Sequence, residues 1–249
     1  MRSISYLLAV SKHYFTTSRD LTLLYYEKVI RDLVNKLVFF FFPIYLFEVG
    51  SRSLTQFLPL SNWQSGIVAL GGYYVLTRLL MVAIVIPIGA ITARAGYQRA
   101  LFYSYVFRAC SFLGLFLSVL NPLFLIAVIV FEAIQQSFYW PSYWTLLARN
   151  THKKTMGANL GAIQIVLLTL GAVTPAISGI LNAELGFQII FFLGTVGTVA
   201  SMCLVLLLSA TCDFDTVSWA ELKQWLSERR YARLSLAVTG RYVYDVMVY

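Results

Sequence analysis

The sequence predicts an all-α membrane protein, with six membrane-spanning helices, an amphipathic linker and the start of a seventh helix. Three observations predict it. First, of 249 residues 59% are hydrophobic and only 12% charged, roughly half the charged share of a soluble domain. Second, windows of about 19 residues pick out six apolar stretches, near 30–49, 66–90, 100–120, 122–147, 158–181 and 186–209, each long enough for a hydrocarbon core about 30 Å thick. Third, fifteen of the nineteen Lys and Arg fall on one set of alternate connections, while the opposite set carries Arg52 alone. That asymmetry places the N-terminus and the segment after span six in the cytoplasm.

Other classes fit less well. The net charge of +8 is spread over short loops rather than gathered in a stripe, so topology accounts for it without nucleic acid. Cys110, Cys203 and Cys212 have no paired spacing, and the first two lie in apolar stretches where a thiol packs as a small hydrophobe. No disulfide, metal site or cofactor is implied. Zinc-protease, serine-hydrolase, P-loop and dinucleotide-binding patterns are absent, and His13 and His152 fall in cytoplasmic segments, so an enzyme is not expected.

Taken in order, residues 1–22 read as a cytoplasmic lead-in, because the apolar run Tyr6 to Val10 is too short for a signal sequence. The bundle occupies 23–210. In its first span Asp32, Asn35 and Lys36 sit in the opening turns and must face the cytoplasm or a cavity, and Pro43 should kink the helix. Short connections follow, which force neighbouring spans to run antiparallel. Span five is rich in small residues, from Gly157 and Gly161 to Gly171 and Gly179, a composition that lets helix backbones approach closely; Pro175 adds a bend. Over 211–233, Ser218 and Glu221 make a capping box, and Trp219, Leu222, Trp225 and Leu226 share one face against Lys223, Arg229 and Arg230. This is a helix lying along the membrane surface. The apolar pattern resumes over 234–249 but is too short to cross, so the sequence is expected to stop inside a seventh helix.

The chemistry centres on span four. At roughly 3.6 residues per turn, Glu132, Gln135, Gln136, Tyr139 and Tyr143 fall on one stripe of an otherwise apolar helix. A carboxylate at membrane depth faces a bundle interior or a water-filled cavity, and it serves either function or a buried salt bridge. From a rise of 1.5 Å per residue, Glu132 lies about 15 Å and Arg78 about 18 Å in from the outer surface, whereas Arg108 lies about 12 Å from the cytoplasmic side. Which arginine meets Glu132 is open. Glu132 neutralises one at most, so an unpaired guanidinium remains, suited to a carboxylate or phosphate on a small-molecule substrate. The shallower Arg108 is expected to snorkel to the cytoplasmic edge. Arg78, on a stripe with Gly71, Tyr74 and Thr77, is expected in the cavity. If the Glu132 pair breaks, proton uptake becomes favourable, so proton coupling is an option. Tyr139 and Tyr143 are candidates to line the cavity, and Trp140 and Trp144 for the interfacial belt.

The loop from Gly89 to Leu101 resembles the motif G-x-L-A-D-R-x-G-R-K-x-x-L of the major facilitator superfamily at Gly89, Arg94, Gly96 and Leu101. It departs at Ala93, Tyr97 and Gln98. The stretch from Thr174 to Gly179 resembles a degraded form of the fifth-helix G-P-x-x-G-G motif of proton-driven antiporters at Pro175 and Gly179. Together with six spans, a linker and a seventh span, the chain is similar to the N-terminal half of such a transporter. The resemblance implies a bundle of 3+3 inverted repeats that rocks against a second six-helix bundle around a midplane site. It implies a multi-pass protein of the bacterial inner (plasma) membrane that moves a small solute, with spans one, two, four and five lining the cavity. The alternative reading is a receptor or scaffold, or a half-transporter that dimerises.

Overall fold

The structure, a computed structural model, describes residues 19–53, 55, 59–151 and 156–209. The linker at 211–233, the seventh helix at 234–249 and residues 1–18 lie outside them. The described elements are all helical: α1 (Arg19–Phe39), α2 (Phe42–Ser53), α3 (Asn62–Ala95), α4 (Tyr97–Ser118), α5 (Phe124–Asn150) and α6 (Met156–Leu206). Counting α1 and α2 as one segment, five are long and apolar enough to cross a membrane.

Pro43 breaks the first span. It has no N–H to offer the Phe39 carbonyl and its ring crowds that position, so α1 stops at Phe39, two residues bend, and α2 restarts at Phe42. The expected kink is therefore present, but the helix begins eleven residues before the expected 30, at Arg19. α3 starts on a full capping box, with the Ser61 side chain accepting from the Gln64 backbone and the Gln64 side chain returning to the Ser61 N–H at 3.0 Å.

Spans five and six appear as one helical element, α6, broken at Gly186. There φ is 75° and ψ 172°, a backbone region that glycine alone enters cheaply. The chain turns back at this point. Leu160 and Ile163 near the start of α6 and Val205 and Leu208 at its end share one apolar cluster with Leu21 and Leu24 of α1. Leu181, Phe187 and Ile190, from the middle of α6, belong to the other cluster with Val38 and Phe42. Two antiparallel arms, 156–185 and 187–206, thus lie along the first span. Pro175 sits inside the first arm without a departure from helical geometry; the sharp break comes at Gly186, eleven residues further on, and has a different cause.

Small residues pack at two of the four expected glycines and at two others in the second arm. A Cβ at Gly157 or Gly161 would meet open space, whereas one at Gly194 or Gly197, in the second arm, would come within 2.8 Å of Val38 or 2.4 Å of Val34. In the first arm Gly171 and Gly179 do approach Lys36 and Phe41.

Three helices carry their buried residues on a seam of alternating three- and four-residue steps. These are Leu24, Glu27, Arg31, Val34 and Val38 in α1; Leu101, Ser104, Arg108, Ser111 and Leu115 in α4; and Val128, Glu132, Gln135, Tyr139, Ser142 and Leu146 in α5. Such spacing keeps one stripe on a neighbouring helix. In each seam the ends are apolar and the middle is polar. The bundle therefore has two large apolar clusters with a polar layer between them, and a third, smaller cluster of Ile88, Ala100 and Phe138.

Candidate functional site

The polar layer is one connected network drawn from four helices. Arg108 of α4 pairs with Glu132 Oε2 of α5, both buried. Its second terminal nitrogen donates to the Asn35 side-chain oxygen of α1, and its guanidinium lies 4.7 Å and 4.6 Å from the ring centres of Phe39 and Phe112. Ser111 Oγ donates to the same Glu132 oxygen at 3.3 Å. Glu132 Oε1 accepts from Gln136 Nε2 at 2.7 Å, and Gln136 Oε1 accepts from Arg78 of α3 at 2.7 Å.

Gln136 is the joint of this chain. A carboxylate only accepts and a guanidinium only donates, so a side chain with one donor group and one acceptor group is what can join an already paired Glu132 to Arg78. Its amide orientation is fixed by those two partners. Glu132 and Arg78, placed at nearly one level from sequence, are thus brought together, but through Gln136.

The expectation for Arg108 is corrected. It does not snorkel to the cytoplasmic edge: it is 4% exposed and is the direct partner of Glu132. The signal was available in the sequence. Snorkelling needs a side chain on the lipid face, which in α4 carries Tyr103, Val106 and Leu113. Arg108 lies off that face, on the stripe of Leu101 and Leu115.

Arg78 differs from Arg108 in its surroundings. It is half-buried, makes its strong contact to a neutral amide, and has Met81 Sδ at 3.7 Å. Tyr74, one turn earlier, is exposed and packs edge-on against Tyr73 at 5.4 Å. Gln135 is buried, with neither end of its amide bonded. Tyr139 and Tyr143 stack on each other at 5.4 Å and are buried, closed over by α1 rather than lining an open space. Trp144 is exposed, as a belt residue is.

A second polar group, of which the sequence singles out Asp32 alone, sits between Tyr139 and the start of α1. Lys28 bonds Asp32 at 2.8 Å and lies 5.2 Å from the Trp140 ring centre. The Arg31 guanidinium carbon lies over the Tyr139 ring, 3.3 Å from its centre. Glu27 is 1% exposed. Expecting the first span to begin at 30 hid this group, although its three-four seam was legible.

The candidate motif residues are placed as follows. Gly96, with φ 89° and ψ 145°, ends α3 and starts α4 as a single-residue corner, a backbone reason for glycine there. Arg94 is exposed, Gly89 half-buried, and Leu101 fully buried in the cluster of Leu21 and Leu24. Gln98 donates to the Leu208 carbonyl at 2.7 Å and so ties this corner to the end of α6. Pro175 and Gly179 lie on the first arm of α6, with Gly179 against Phe41.

No protein-family model and no curated protein matches the chain.

The described helices also leave a charge imbalance. Lys28, Arg31, Lys36, Arg78 and Arg108 lie inside the bundle with Glu27, Asp32 and Glu132 as the available carboxylates. Among the described residues two ion pairs form, Lys28 with Asp32 and Arg108 with Glu132. Lys36 instead donates to the Leu167 carbonyl of α6.

Proposed function

We propose that the chain is a secondary membrane transporter that moves a small anionic solute by alternating access, with Arg78 as its anion-binding group. The observation that carries this reading is the Arg78–Gln136–Glu132–Arg108 chain, a charged network at membrane depth with more guanidinium than carboxylate. A buried structural pair needs only Arg108 and Glu132. Arg78 adds a second guanidinium that no carboxylate among the described residues pairs with and that keeps partial exposure. Such a group is expensive at membrane depth unless water or an anion compensates it. Its planar fork matches a carboxylate or phosphate through two parallel hydrogen bonds.

The resemblance to the major facilitator superfamily supports the same reading. It supplies the second six-helix bundle as partner and the inner membrane as location, with the N-terminus cytoplasmic. Tyr74 and Gln136 flank Arg78 in the substrate path on this account, while Arg108 and Asn35 hold Glu132 in place. Tyr139 and Tyr143 shape the wall behind it.

The test uses the full chain in proteoliposomes on a charge-sensing membrane, challenged with a panel of carboxylates and organic phosphates. At least one anion evokes a saturable current, and Arg78→Gln weakens its apparent affinity by roughly tenfold or more, the worth of a charge-assisted hydrogen bond. Arg78→Lys keeps part of the response. A panel without any evoked current, or an Arg78→Gln protein that responds like the parent, contradicts the reading.

A further inference from the structure

We propose that the proton-binding carboxylate of this bundle is Glu27, not Glu132, and that Arg31 governs its release. This deepens the transporter reading and rests on it only for the use made of the proton.

The two buried carboxylates have opposite surroundings. Glu132 accepts from Arg108, Ser111 and Gln136, so both of its oxygens are occupied. Protonating it would set a neutral acid against a desolvated guanidinium, the arrangement an ion pair resists. Glu27 is as deeply buried, yet neither oxygen accepts a hydrogen bond. A buried carboxylate left that way is the costly form, and the neutral acid is not. The ligand that fits a closed site without needing a cavity is a proton.

The charged and titratable neighbours act as follows. On α1 itself these are Lys28, Arg31 and Asp32, and on α5 Tyr139 and Tyr143. Lys28 is committed to Asp32 and to the rings of Trp140 and Tyr143. Among the described residues the Tyr139 hydroxyl is the one donor that approaches Glu27, close enough to favour its ionised form, but the contact falls short of hydrogen-bond geometry. From α4, Tyr105 stands edge-on to the Tyr139 ring at 6.3 Å. α6 carries a single charged residue, Glu184, next to its break at the opposite end, and Cys203, which is exposed.

Arg31 supplies the switch. It lies one helical turn after Glu27, at the spacing where a glutamate and an arginine meet on a helix. In this structure its guanidinium is instead seated on the Tyr139 ring, and its Nε has no partner. When Arg31 leaves the ring and turns to Glu27, the ionised carboxylate gains a cation and donors, the O–H bond of the acid breaks, and the proton passes to water. Arg31 stays cationic throughout. The reverse swing restores the acid.

Infrared spectroscopy of the full chain in lipid bilayers, in neutral buffer and with the glutamates carbon-13 labelled, reads this directly. The expected result is a protonated glutamic C=O band that resists hydrogen–deuterium exchange, is absent from Glu27→Gln and persists in Glu132→Gln. Tyr139→Leu removes the seat of Arg31 and is expected to lose the band although Glu27 is present. Tyr139→Phe keeps the seat and the band. If Glu27→Gln does not fold, the Tyr139 pair still decides. A parent protein without the band, a band that survives Glu27→Gln, or one equally strong in Tyr139→Leu and Tyr139→Phe overturns the proposal. Anion-evoked currents without the band overturn the proton site and leave transport standing; the band without currents supports the proton site and counts against transport.

Discussion

Arg108→Met lowers the stability of the bundle by about 3–5 kcal/mol, the cost of leaving one partner of a buried ion pair uncompensated. Three contacts are lost together: the pair to Glu132, the hydrogen bond to Asn35, and the seat between the Phe39 and Phe112 rings. The larger share comes from Glu132, which stays charged and buried with only Ser111 and Gln136 as donors. The double variant Arg108→Met with Glu132→Leu therefore recovers most of the loss, since replacing both charges by apolar groups is often neutral or stabilising. Thermal unfolding of the four proteins in one detergent gives the coupling energy. A single Arg108→Met variant as stable as the parent would show that Glu132 has other compensation.

Gly197→Leu is expected to cost about 3 kcal/mol, at the upper end for forcing extra volume into a packed site. The first added carbon would stand 2.4 Å from Val34 Cγ2. Val34 is β-branched and stiff at χ1, so it cannot turn away cheaply, and α1 would have to move off the second arm of α6. That movement pulls on the same helix that carries Arg31 and Asn35. Gly197→Ala gives a smaller loss, and Val34→Ala restores part of the Gly197→Leu deficit. Unfolding midpoints of the single and double variants check this. By contrast, Gly161→Leu, where an added side chain meets open space, leaves stability within about 0.5 kcal/mol, as surface substitutions do.

Much of the architecture was legible in the sequence because bilayer thickness imposes length and polarity together. The span positions, the Pro43 break and the wet stripe of α5 all follow from that constraint. Two features escaped for physical reasons. The start of α1 was missed because Glu27, Lys28, Arg31 and Asp32 lower the apolar average of a window that is nonetheless helical. Face-by-face reading would have found it, since Glu27 and Arg31 continue the seam of Leu24, Val34 and Val38. The partner of Glu132 was left open, and Arg108 was sent to the cytoplasmic edge, because depth was weighed without azimuth. Distance along a helix says how far a side chain is from water; only its face says whether it can reach there. Which donor completes a buried network also depends on how helices far apart in sequence face each other. Gln136, placed in the candidate cavity from its stripe, proved to be the link between two charges, and no local pattern encodes that.

In a transporter of this kind the mid-membrane site beside Arg78 opens to both sides of the membrane in turn. This is tested most directly by Tyr74→Cys, an exposed position one turn from Arg78, with Cys110, Cys203 and Cys212 replaced by Ala. The measurement is its modification in sealed vesicles by a membrane-impermeant thiol reagent added from one side, then from the other. The account predicts labelling from either side, slowed by the anion that evokes a current. Labelling from one side alone, or from neither, would contradict it.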